Sequence, residues 1–242
     1  MNLPLASIYS LVLLFALSFQ LTGQTKETLF GIQFKPIFSS EITNTGLQSE
    51  QEGAVTFTLD QKLGYSFGMV VRKQISKQIT LESGINFTQR NYDLGISVND
   101  SSNFSSTSDF RYIIYEIPIQ ALVYVKAGNR TYLNASFGGV LNFLPSNWES
   151  FDFYFEHFSI RRSWIIPALS ANIGFEYRTA EDGYFYFGIS FQRPFTEITT
   201  AGVLYKVDNQ PQEVTSFDVS GDYLTFDLRY FFNEPPEKRK RR

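Results

Sequence analysis

Two extended segments in residues 110–143 are joined by Ala127-Gly128-Asn129-Arg130, and both alternate with a period of two. In the first, Ile113, Tyr115, Ile117, Ile119, Ala121, Val123 and Val125 share one parity. Glu116, Gln120, Tyr124 and Lys126 take the other, along with Ile114, Pro118 and Leu122. In the second, Leu133, Ala135, Phe137, Leu141 and Phe143 oppose Tyr132, Asn134, Ser136, Gly138 and Asn142. Only a strand turns successive side chains to opposite faces, so the stretch reads as a long hairpin, apolar on one side and small or polar on the other.

The same pattern recurs along the chain. Strands are expected over residues 29–38, 54–73, 78–92, 163–179, 184–193 and 223–232, which with the hairpin makes eight. The turns at 74–77, 127–130 and 180–183 are short, and Gly183 stands where a positive φ is expected. The connections 39–53, 93–109, 144–162 and 196–222 are long, so long and short alternate. Ser101 to Ser108 reads as a solvated loop, 144–162 as a prolongation of its flanking strands, and 196–222 as a protruding hairpin turning near 208–211.

Alternation alone does not decide which face is inside, because soluble barrels have apolar lumens and membrane barrels apolar exteriors. Bulk decides it. The apolar face carries about five large side chains per strand, more than an eight-stranded lumen holds, whereas Gly31, Gly64, Gly68, Gly84, Gly138, Gly174 and Gly188 lie on the polar face. Long loops at one end and short turns at the other are the asymmetry of outer-membrane barrels. Residues 1–23 read as a signal peptide with an apolar run over 7–21, and nothing after them approaches the roughly 18 apolar residues of a spanning helix. Aromatic residues make up 17%, which suits strands and interfacial belts. The expected fold is therefore all-β: an eight-stranded antiparallel up-and-down transmembrane β-barrel over 24–232 in the cell outer membrane. A soluble lipocalin-like barrel is the alternative.

With the polar face inside, Lys35, Arg72, Glu82, Arg90, Glu116, Lys126, Glu176, Arg178, Asp227 and Arg229 share a sealed lumen. An unpaired buried ion costs several kcal/mol, so these ten are expected to form a salt-bridged lumen network rather than an ion path. Pro118 and Pro167 each remove a ladder donor, and a bulge or kink is expected at both. Tyr65, Tyr92, Tyr112, Tyr115, Trp148, Trp164, Tyr177 and Tyr230 are candidates for interfacial girdles.

No cysteine is present, which excludes disulfides and thiol catalysis. The net charge is −3, and the basic tail 233–242 contributes +3 of it, leaving −6 for the body; nucleic acid is not an expected partner. His157 is the one histidine, and His157-Phe158-Ser159 has the spacing seen in barrel lipid A deacylases, where a histidine activates a serine. The expected reading is a histidine on an extracellular extension. No catalytic residue, cofactor or metal is assigned; outer-membrane lipid and a protein partner at the extracellular loops or the periplasmic tail are the expected contacts.

Several short motifs, in order, carry a resemblance. They are Phe30-Gly31-Ile32, Leu81-Glu82-Ser83-Gly84-Ile85, Tyr115-Glu116-Ile117-Pro118, Phe137-Gly138-Gly139, Asn172-Ile173-Gly174-Phe175-Glu176-Tyr177 and Leu228-Arg229-Tyr230-Phe231-Phe232. On these the chain resembles the outer-membrane β-barrel domain family of Bacteroidota, the PorT-like group, and more distantly the transmembrane part of OmpA. The resemblance implies the barrel fold, the outer membrane, delivery by the barrel-assembly machinery through the aromatic closing strand, and a non-enzymatic accessory role in secretion, adhesion or envelope structure. An outer-membrane lipid hydrolase is the alternative activity.

Overall fold

The computed structural model describes residues 28–39, 43, 45–76, 78–98, 104–151, 155–180, 182–207 and 210–232. The expected signal peptide and basic tail lie outside them, as do residues 101–103 of the expected serine loop. The described strands are β1 (Thr28–Phe38), β2 (Gln48–Glu52), β3 (Val55–Gln74), β4 (Ile79–Val98), β5 (Ser105–Lys126), β6 (Thr131–Phe143), β7 (Trp148–Phe151), β8 (Phe155–Arg161), β9 (Ile165–Arg178), β10 (Tyr184–Pro194), β11 (Thr199–Val207), β12 (Gln210–Val219) and β13 (Tyr223–Phe231).

Eight of these close a ring in the order β1, β13, β10, β9, β6, β5, β4, β3, and β3 pairs back onto β1 from Ile37↔Gly64 to Thr28↔Lys73. Every pairing is antiparallel between chain neighbours of the ring, so this is an up-and-down barrel of eight strands. Closure leaves no unpaired edge around the wall, which lipid could not solvate. The three short turns share one end, and in the last of them Gly183 takes φ +97°, a conformation that L side chains rarely adopt.

The wall is apolar outside. Ile173 is 67% exposed, and Phe137 and Met69 are each 61% exposed, while Asn172, Ser136 and Val70 beside them in sequence are buried inside. That belt has a clear upper edge. On β4 the outward side chains change from Ile79, Ile85 and Phe87 to Asn91, Asp93 and Ser97, and on β5 from Ile113 and Tyr115 to Arg111, Asp109 and Thr107. From Ile113 to Val125 a tilted strand rises about 30 Å, the thickness of a hydrocarbon core.

Beyond that edge β3, β4 and β5 continue into the exterior, with β2 paired to the first residues of β3. A second sheet, in the order β12-β11-β8-β7, packs against them. Val55, Phe57 and Leu59 of β3, Leu94 and Ile96 of β4 and Phe110 and Tyr112 of β5 meet Ala201 and Val203 of β11 and Phe217 and Val219 of β12 in one apolar core. Residues 144–162 thus do not prolong the barrel strands: they leave the wall at Leu144 and build β7 and β8 of a separate sheet. The serine-rich segment is likewise shorter than expected, because Ser105 to Ser108 belong to β5 and pair with β4.

A single β-bulge makes this two-storey arrangement work. Lys62 pairs with Asn91 and Tyr65 with Gln89, so Leu63 and Gly64 together face Arg90. Below the bulge the even residues Gly64, Ser66, Val70 and Arg72 point inward; above it the odd residues Val55, Phe57, Leu59 and Gln61 do. The expected bulges at the prolines are absent. Pro118 stays in register with Val140, and Pro167 with Leu141. On the β4 side the ladder skips Pro118 and Ile117 without losing register, and Ser83 Oγ donates to the Pro118 carbonyl oxygen at 2.8 Å.

Candidate functional site

Inward residues of all eight ring strands assemble the lumen, and two of its glycines have a common role. Gly138 of β6 stands between Gln120 of β5 and Ser170 of β9, and the side chains of those two meet above it at 2.9 Å. Gly68 of β3 stands in the same way between Gln33 and Asn86, which hydrogen bond at 2.5 Å. Tyr186 reaches across from β10, its hydroxyl donating to Asn172 at 2.5 Å over the ground left open by Gly174 and Gly188.

Seven of the ten expected charges form one continuous chain. Lys35 Nζ lies 3.7 Å from Asp227, and Arg229 Nη2 binds the same carboxylate at 2.5 Å. Arg229 also pairs with Glu82, which accepts from Arg72 Nε at 2.5 Å; Arg72 pairs in turn with Glu176, and Arg178 closes the series on Glu176 at 2.7 Å. The other three stand apart. Glu116 accepts from the Tyr223 hydroxyl at 2.7 Å, Arg90 donates to Gln61 at 2.6 Å and to the Asp222 carbonyl at 3.2 Å, and Lys126 is exposed at the short-turn end. Arginines in the series also lie on aromatic faces: the Arg72 guanidinium is 3.8 Å from the Phe231 ring centre and that of Arg229 is 4.8 Å from Tyr186.

In the exterior storey a polar trio sits within the apolar core. Ser159 Oγ lies 2.8 Å from His157 Nε2 and 2.6 Å from the Tyr112 hydroxyl, and the His157 ring is 4.1 Å from that of Phe110. Sequence spacing paired His157 with Ser159; it did not show Tyr112, which arrives from β5, a different sheet. Burial pushes the Tyr112 hydroxyl up and the His157 imidazole down, the latter to about 4. His157 and Ser159 are each 2% exposed, so a lipid ester has no approach to the hydroxyl. Glu156 points the other way and pairs with Lys206. Of the expected girdle residues, Tyr92 and Tyr112 also belong to this core, while Tyr115, Trp164 and Tyr177 face outward. Among the described residues no group of three or more His, Asp or Glu is placed to hold a metal ion.

On its outer face the second sheet carries Phe158, Ile160 and Val214, all exposed, above Gly202 of β11. With Glu50 and Glu52 of β2 they border an open groove of about 380 Å³. A Cβ on Gly202 would strike the Phe158 ring, so that glycine lets the ring lie flat on the sheet.

A closed eight-stranded ring with lipid-facing apolar side chains and a salt-bridged interior defines an outer-membrane β-barrel protein. No family profile and no curated protein matches the chain. Among solved structures it is similar to the outer membrane protein OprG from Pseudomonas aeruginosa, at 12% identity and a TM-score of 0.53, covering 86% of this chain and 98% of that one. Similarity to the outer membrane protease OmpT from Escherichia coli is 9% identity at a TM-score of 0.42, over 88% of this chain and 99% of the other. The OprG likeness supports the barrel fold, and the lipid-facing apolar belt of the closed ring does not fit the soluble barrel.

Proposed function

We propose that the protein is a non-enzymatic outer-membrane accessory protein of the PorT-like kind, in which the barrel is an anchor and the exterior storey engages a protein partner. The groove bordered by Phe158, Ile160, Val214, Glu50 and Glu52 carries this reading. An apolar floor beside two carboxylates suits a partner segment with an apolar anchor next to a basic side chain. The filled lumen supports an anchor rather than a channel.

Photo-crosslinking in intact cells tests it, with the reactive residue at Ile160 or, on the far polar face, at Thr56. A discrete adduct at Ile160 that weakens when Glu50 and Glu52 become Gln supports the reading. Equal adducts at both positions, or none at Ile160, overturn it. The lipid-hydrolase alternative rests on the Ser159–His157 hydrogen bond, requires the exterior core to open before an ester reaches the buried hydroxyl, and calls for acyl release lost in Ser159→Ala.

A further inference from the structure

The short-turn end of the barrel, which faces the periplasm in outer-membrane barrels, holds a cavity of about 180 Å³ lined by Leu29, Arg72, Gln74, Gln78, Thr80, Tyr124, Tyr132, Arg178 and Tyr184. Two guanidiniums line it and no carboxylate does. Arg178 lies between three rings, its guanidinium 4.1 Å from the centre of Tyr132, 5.0 Å from Tyr184 and 5.3 Å from Tyr124. Its Nε is committed to Glu176, and the half-buried side chain lines the cavity. Arg72, almost wholly buried, uses Nε and Nη1 on Glu82 and Glu176, and its Nη2 has no hydrogen-bond partner among the described residues.

The charges point the same way. Lys35, Arg72, Arg178 and Arg229 outnumber Glu82, Glu176 and Asp227 in the ion-pair series by one; the series ends in a cation on each side, and the terminal cation at the mouth is Arg178. Lys73, Lys126 and Arg130 are exposed around that end, against Asp182 as the carboxylate of its turns among the described residues. We infer that this mouth is a binding site for a single oxyanion, a carboxylate or phosphate group presented from the periplasm and held in the fork of Arg178 with the tyrosine hydroxyls and Gln74 and Gln78 around it. Planar guanidinium donors match the geometry of such a group, and the ring of surrounding cations steers it inward.

The full-length barrel, folded in a neutral detergent at low ionic strength, is titrated calorimetrically with inorganic phosphate and with an acetylated tripeptide amide whose single charge is an aspartate. Saturable binding of either probe is expected, weakened about tenfold or more in Arg178→Gln and less in Arg178→Lys, which keeps the charge and loses the fork. Lys62→Gln, at the opposite edge, leaves it unchanged. Phosphate binding alone assigns a free anion; stronger peptide binding assigns an acidic group on a polypeptide. Heat-modifiable gel migration verifies that each variant is folded. No saturable heat with either probe, or equal affinity in folded Arg178→Gln, overturns the inference.

Discussion

Gln120 Nε2 donates to Ser170 Oγ at 2.9 Å directly above Gly138, the residue that separates the two in the ladder. Gln33 and Asn86 repeat the arrangement above Gly68. In both, a strand without a side chain lets its two neighbours bond across it, so the wall is tied on the inside as well as along its backbone. The polar interior of a narrow barrel is satisfied by such second-neighbour bonds and by ion pairs.

Adjacent glycines provide a sharp comparison. A Cβ on Gly138 would strike the Ile119 carbonyl oxygen and lie 2.7 Å from Gln120 Cα, whereas on Gly139, which faces outward, the nearest atom is 3.8 Å away. Gly138→Ala is expected to destabilise the barrel by about 1–3 kcal/mol through overpacking, and Gly139→Ala by less than about 0.5 kcal/mol. Urea unfolding in detergent micelles, followed by gel migration, reads both; equal midpoints would sink the argument.

Glu82 of β4 joins two almost wholly buried arginines, Arg72 on the adjacent β3 and Arg229 on β13 beyond β1. Glu82→Gln leaves both without their shared charge and is expected to lower stability by about 3–5 kcal/mol. The exposed Lys126→Gln is expected to change it by no more than about 0.5 kcal/mol. A Glu82→Gln barrel that unfolds with the wild type would show that the ion-pair series contributes nothing to the wall.

Period-two alternation made the barrel legible, down to Gly183 in its turn and the inward parity of Glu82, Arg72 and Arg229. The exterior storey was hidden for a physical reason. Along β3 the odd residues from Val55 through Val71 are apolar except Gln61, so one nearly continuous pattern runs through a bulge that turns its first part inward and its second outward. Only the polar Gln61 and the small Gly64 between Leu63 and Tyr65 marked the place. Sheet-to-sheet contact between β5 and β8 is non-local, and no spacing rule brings Tyr112 to Ser159.

That bulge can be removed. Deleting Leu63 gives one-to-one pairing of β3 with β4 and unbroken alternation through Gln61, Lys62 and Gly64, so Val55, Phe57 and Leu59 still face inward opposite Val98, Ile96 and Leu94. The variant is expected to keep the heat-modifiable migration of the barrel and the resistance of the exterior storey to protease added to intact cells. Protease sensitivity of the storey in a barrel that still migrates as folded would show that the extra residue itself holds the storey in place.

His157 gives the exterior storey its pH dependence. Burial holds the imidazole neutral in the folded state, with a pKa of about 4 against the usual 6.5. Between those values the unfolded storey takes up a proton that the folded one refuses, so stability is full above pH 6.5, falls as the pH drops through the window, and stops falling below about 4. The loss over that range is on the order of 3 kcal/mol. Asp222 works against it, since burial raises its carboxyl and acid then favours the folded form. The comparison with His157→Phe separates the two, because phenylalanine keeps the ring packed on Phe110 and cannot titrate. Proteolysis of the storey at pH 7, 5.5 and 4.5 should accelerate with acid in the wild type and much less in His157→Phe. Parallel acceleration in both would mean that protonation of His157 is not what loosens the fold.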